Sequence, residues 1–215
     1  MDINFPHITT ELDDDALIIR GGMPLYSLSS AVVGGGIGTV HAIVNRHVHK
    51  NYDCSDPIAD LRNFARERNI TGDFVGMLTA VWMCKTRHIT QRSNGLTVSV
   101  MITAGVGNAI AAGITQPQTV QAGTINIIAL VDGNLSSGAM VNAVTTITEA
   151  KTAVLHVRDI RTFDDLSATG TSTDAVVIAQ TGRGDTLPYG GPVTEVGYLL
   201  ARGVRECLAL ALDAP

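Results

Sequence analysis

Between Ser93 and Thr148 the chain carries a single charged residue, Asp132. A stretch this long and this poor in charge cannot form ordinary solvated surface elements. It belongs either in a membrane or in strands covered on both faces. Leu96 to Ile114 is nineteen residues without charge, long enough to raise the membrane reading. Gly105, Gly107, Asn108 and Gly113 interrupt it, and Thr97, Ser99 and Thr103 alternate with Val98, Val100 and Ile102. Alternation at period two is a strand signal. The segment is therefore read as central strands of a covered sheet, with no membrane partner.

A chain of 215 residues with 45% hydrophobic and 16% charged residues buries a substantial core, and is read as one domain spanning residues 1–215. A net charge of -5, with the densest basic run limited to Lys85, Arg87 and Arg92, argues against nucleic acid as a partner. Cys54, Cys84 and Cys207 are far apart and form no CxxC pair, which fits reduced thiols of a cytoplasmic protein. Met1 to Phe5 has neither the basic start nor the apolar core of a signal peptide.

Ala16 to Arg20 reads as a strand ended by Gly21-Gly22. Leu25 to Val33 and Thr39 to Val48 read as strands joined through the glycine run 34–38. Asp56 as cap and Pro57 at the first helical position open a helix to about Arg68. Phe74 to Trp82, Met83 to Gln91 and Thr97 to Thr103 follow as strands, with Asn94-Gly95 as a hairpin turn. Thr124 to Val131 is a further strand, Ser136 to Val157 a long helix, and Ala175 to Ala179 a strand. Pro192 and Glu195 open a final helix to about Leu212. These elements predict an α+β fold, with a largely antiparallel sheet or sheets covered by a few helices, one arrangement being α/β/β/α layers.

The glycine run 34–38 does not fit a dinucleotide fingerprint, because a strand-like segment and not a helix follows it. His41, His47 and His49 would share a strand face and could hold zinc, although a half-exposed polar strand explains them better. The helix from Ser136 carries Gly138, Asn142, Thr145, Glu149 and Thr152 along one face. Two readings stand for this stripe: close packing beside a polar site, or a helix packed on both sides with its Thr hydroxyls bonded back to the preceding turn. The densest polar turn is 168–175, where Gly170, Thr171, Ser172, Thr173 and Asp174 precede an apolar strand. There Asp174 could orient or deprotonate a hydroxyl, cap the turn, or pair with Arg183.

That turn, the block Ala139 to Lys151 and the block Tyr189 to Gly197 resemble, in order and spacing, the adenosylcobinamide amidohydrolase family. Asn45-Arg46-His47-Val48 with Asp56-Pro57, Thr103 to Asn108 and Gly123 to Ile127 extend the resemblance from about residue 25 to 205. It implies hydrolysis of the amide between a corrinoid propionate and aminopropanol, giving adenosylcobyric acid and 1-aminopropan-2-ol. The partner would be a small-molecule corrinoid. Cobalt would enter only within that substrate, with no cofactor or metal of the protein's own. Amide hydrolysis needs an activated nucleophile, donors for the oxyanion and a proton for the amine. Glu149, Asp174 and His47 are the acid–base candidates, and Thr171 or Ser172 a candidate nucleophile. Asn108, Asn142, Thr145, Gly170 and Thr173 are candidate substrate contacts. A corrinoid-binding protein without turnover and a metal-dependent hydrolase of another amide are the rival readings. A homo-oligomer is compatible with the sequence.

Overall fold

The computed structural model describes residues 1–117 and 123–213. Its first half runs β1 (Ile8–Leu12), β2 (Ala16–Ser29), β3 (Gly36–His47), α1 (Pro57–Glu67), β4 (Phe74–Thr79), β5 (Arg87–Ser93) and β6 (Leu96–Ala104). The second half runs β7 (Ala109–Ile110), β8 (Ile125–Asp132), β9 (Asn134–Leu135), α2 (Ser137–Val157), β10 (Gly170–Thr171), β11 (Ala175–Gln180), β12 (Thr186–Leu187) and α3 (Glu195–Leu212). Eight strands form one sheet in the order β4-β3-β2-β11-β8-β6-β5, with β1 on β2.

Five of its seven pairings are antiparallel, and β3–β4 and β8–β11 are parallel. Each parallel pair is the two ends of a strand–helix–strand unit, through α1 and α2 respectively, because a helical crossover returns the chain in its original direction.

Strand alternation divides the core into three clusters. Ala16, Ile18, Ala42 and Val44 face Leu61, Phe64 and Ala65 of α1. Val98, Val100, Ile102, Ile127, Ala129 and Ile178 face α2 and α3. The opposite faces of both halves, Leu17, Ile19, Ile43, Val75 and Met77 on one side and Met101, Ile128, Leu130 and Val177 on the other, meet in a single cluster. The sheet thus folds over on itself, and the layers are α/β/β/α. Each fully buried Ile or Leu in this middle layer contributes on the order of 1.5–3 kcal/mol.

Several boundaries differ from the sequence reading. Gly21-Gly22 does not end a strand. β2 runs on through a bulge between Arg20 and Leu25, and a Cβ on Gly21 would lie 2.4 Å from the Met23 carbonyl oxygen. A 3-10 turn at Met83–Lys85 delays β5 to Arg87. The last helix starts at Glu195 under a Thr194 cap, so Pro192 lies before it. β1 and the two-stranded pairs β7–β10 and β9–β12 have no counterpart in the sequence reading.

Candidate active site

Where the middle layer opens, the ends of β3, β4, β8 and β11 surround a cleft of about 700 Å³. Thr124, Asn126, Thr173 and Asp174 line it from the starts of β8 and β11, with Val48, His49, Lys50 and Tyr52 after β3 and Thr79 and Ala80 at the end of β4. Its floor is a chain of buried side-chain hydrogen bonds across the two halves of the sheet. Asn45 Nδ2 donates to Thr103 Oγ1 (3.0 Å), and Asn126 Nδ2 donates to Asn45 Oδ1 (2.8 Å) and to the Leu78 carbonyl (2.9 Å). Thr124 Oγ1 lies 2.9 Å from Asn126 Oδ1 and 2.8 Å from the Thr173 carbonyl. Buried polar groups are tolerated only when bonded in this way.

Asp174 holds the wall above that floor. Its Oδ1 accepts from Thr171 Oγ1 (2.5 Å) and the Ile125 N–H (3.1 Å), and its Oδ2 accepts from Lys151 Nζ. Three donors occupy three of the about four lone-pair positions of a carboxylate. Lys151 is only 8% exposed and reaches the turn from the buried face of α2. The backbone must come close for this: a Cβ on Gly170 would sit 2.5 Å from Asp174 Oδ2 and 2.7 Å from Lys151 Nζ. The sequence reading named Gly170, Thr171 and Asp174 but missed Lys151. It also considered Arg183 as the partner of Asp174. Arg183 pairs instead with Asp132.

The other candidates fall in different places. Thr173 lines the cleft and donates to the Gly123 carbonyl (2.6 Å). Ser172 and Asn108 line a separate cavity of about 520 Å³. Asn108 Nδ2 donates to Gly123 O (2.7 Å) and Ser172 Oγ (2.8 Å), so it braces the turn from behind.

The stripe of Asn142, Thr145 and Glu149 is not brought to the cleft. All three are exposed, and Glu149 lines a shallow groove with Thr148, Thr152 and His156. The hydroxyls of Thr145 and Thr148 donate back to the Val141 and Val144 carbonyls, but the exposure of this face means that the helix is not packed on both sides, so only the back-bonding half of the second reading holds. The face α2 turns to the sheet is Met140, Ala143, Ile147, Ala150, Lys151 and Val154.

Nor do the three histidines share a site. β3 ends at His47, so His49 lies beyond it in a turn, while His41 is exposed beside Gly72. Among the described residues no group of three or more His, Cys, Asp or Glu is arranged to hold a metal ion. His49 does line the cleft. Its Nδ1 accepts from the Asn51 N–H (3.1 Å), which places the proton of the neutral ring on Nε2. His47 Nδ1 donates to the Val81 carbonyl (3.0 Å), and its ring stacks on Trp82. At the rim Tyr52 donates to Asp60 Oδ2 (2.7 Å), and Asp60 also pairs with Arg46 (2.8 Å). The Arg46 guanidinium and then the Tyr52 hydroxyl hold the Asp60 carboxyl below its ordinary range. Burial and the neighbouring Cys54 and Asp60 push the Tyr52 phenol up.

The floor and wall join residues from five of the sequence blocks singled out above, which puts a polar, hydrogen-bonded cleft at the mouth of a two-layered sheet. The chain matches the adenosylcobinamide amidohydrolase family over residues 4–215 and belongs to it. It is 30% identical over 211 residues to adenosylcobinamide amidohydrolase of Methanosarcina mazei, covering 94% of this chain and 96% of that protein. It is 36% identical over 124 residues to a protein of the same name from Halobacterium salinarum, covering 54% of this chain and 51% of that one. The fold is similar to that of the PH0078 protein from Pyrococcus horikoshii OT3, with a TM-score of 0.53, 11% identity, and 96% and 83% of the two chains covered. Among the described residues no helix is long and apolar enough to cross a membrane.

Proposed function

We propose that this protein hydrolyses the amide joining a corrin propionate to 1-aminopropan-2-ol in adenosylcobinamide, releasing adenosylcobyric acid. One observation carries the reading. The polar blocks shared with the family, far apart in sequence, converge through Thr103, Asn45, Asn126, Thr124, Asp174 and Lys151 on a single cleft.

The chemistry needs water to add to the amide carbon and the amine to leave with a proton. Asp174, whose carboxylate has room for one more donor, takes a proton from the attacking water as its oxygen bonds to the carbonyl carbon. The carbonyl oxygen gains the charge, and His49 Nε2–H and the Lys50 ammonium, which line the same cleft, are the donors that stabilise it. As the C–N bond breaks, the proton held by Asp174 passes to the amine nitrogen. Water is consumed, one acid and one amine form, and Asp174 returns to its starting state. Lys151 and Thr171 fix the carboxylate without touching substrate, since Thr171 is 6% exposed and Lys151 8%.

Incubating purified protein with adenosylcobinamide and identifying products by mass tests this. Adenosylcobyric acid and 1-aminopropan-2-ol in equal amounts, without ATP, are expected. Folded protein that leaves the substrate mass unchanged would sink the reading.

A further inference from the structure

We propose that Trp82, backed by His47 just beyond the residues that line the cleft, is a stacking platform for the adenine ring of the substrate. This deepens the function proposed above and rests on it. Trp82 is 59% exposed, far more than a structural indole needs to be. Its ring nevertheless has a fixed seat: it lies 4.5 Å from the His47 ring, with an interplanar angle of 27°. His47 is itself held by its Nδ1–H bond to the Val81 carbonyl (3.0 Å). The Trp82 backbone is pinned by the 3-10 turn it opens, where the Lys85 N–H donates to its carbonyl (2.9 Å). A rigid aromatic side chain loses little conformational entropy when a ligand settles on it.

Its position adjoins the cleft. Period-two alternation puts His47 on the same face of β3 as Asn45, whose amide reaches Asn126 on the cleft floor. Val48 and His49, which follow His47, and Thr79 and Ala80, which precede Val81, all line the cleft. The pair therefore adjoins the reacting site along both strands. Of the substrate's two ring systems, the corrin carries amide arms that keep a flat partner at a distance, whereas adenine is flat on both faces and uncharged. Stacking on an indole needs only a π face.

The chain has one tryptophan, so its fluorescence reports on Trp82 alone. Titration with 5′-deoxyadenosine should quench that emission saturably, and more weakly in His47→Ala. In turnover, Trp82→Ala should lower the ratio of kcat/KM for adenosylcobinamide to that for cobinamide lacking the adenosyl group by on the order of tenfold. Trp82→Phe should restore most of the ratio. Absence of saturable quenching, or an unchanged ratio in Trp82→Ala, overturns the platform. If the wild-type protein turns over neither corrinoid, the function proposed above fails, and the quenching titration still decides the platform.

Discussion

Replacing Lys151 by Met isolates what the ion pair under the cleft wall contributes. Met matches the length of the lysine stem and has a similar helix propensity, so α2 itself is little penalised. The loss falls on Asp174. Its side chain is 15% exposed and keeps Thr171 Oγ1 and the Ile125 N–H, but Oδ2 loses the Lys151 ammonium. Removing one partner of a buried pair costs about 3–5 kcal/mol, and the two remaining donors place this case near the lower end, about 3 kcal/mol. In a domain of this size that corresponds to a fall in Tm of about 6–12 °C. The double variant Lys151→Met with Asp174→Asn removes the stranded charge as well and should recover about 2 kcal/mol. Urea unfolding of the wild type and the variants, with m unchanged, measures both quantities. A Lys151→Met variant within about 0.5 kcal/mol of wild type, or a double variant no more stable than it, would refute the account of Lys151 as the counter-charge.

Asp174→Asn should cut turnover of adenosylcobinamide by about a hundredfold or more, while Glu149→Gln, on the outer face of α2, should stay within about twofold. Steady-state rates on the pure substrate decide both. Burial pushes the Cys207 thiol up to about 12, so a thiol reagent at neutral pH should leave it intact in folded protein while labelling the exposed Cys84; early labelling of Cys207 itself would contradict that burial. Asp60 has a carboxyl lowered first by Arg46 and then by Tyr52. Its stabilisation is therefore fully present above the ordinary value of 3.8 and is lost as pH falls through the folded value. The stability gap between wild type and Asp60→Asn should shrink as pH drops below about 4, and a gap independent of pH in denaturation would rule this out.

What the sequence makes legible here is mostly what is settled within a few residues. Asp56 caps α1 through the Ala59 N–H (2.9 Å), with Pro57 at its start, and Ser136 caps α2 through the Ala139 N–H (3.1 Å). Asn94 and Gly95 both take positive φ, 47° and 82°, as their hairpin requires. The alternation from Thr97 to Thr103 becomes β6, buried on both faces. The turn at 170–174 also carried its signal locally, in a glycine amid hydroxyls.

The rest depends on distant partners. Lys151 is a cation on the apolar face of a charge-poor helix, and only Asp174, in a turn 23 residues on, explains it. The polar spacing on α2 drew attention to Glu149, because periodicity identifies a face but not whether sheet or solvent lies against it. Asn45 and Asn126 are 81 residues apart and look like ordinary strand polar residues until the sheet folds over. His49 was paired with His47 by assuming that the strand continued, whereas β3 ends at His47.

The joint between the two halves of the sheet is built of amides, hydroxyls and backbone carbonyls: Thr103, Asn45, Asn126, Thr124, Leu78 and Thr173. None of these gains or loses a proton near neutrality. The floor of the cleft is thus insulated from acidity. No member of that joint has a proton to exchange in this range, so the two halves of the sheet stay locked together whatever the acidity around them.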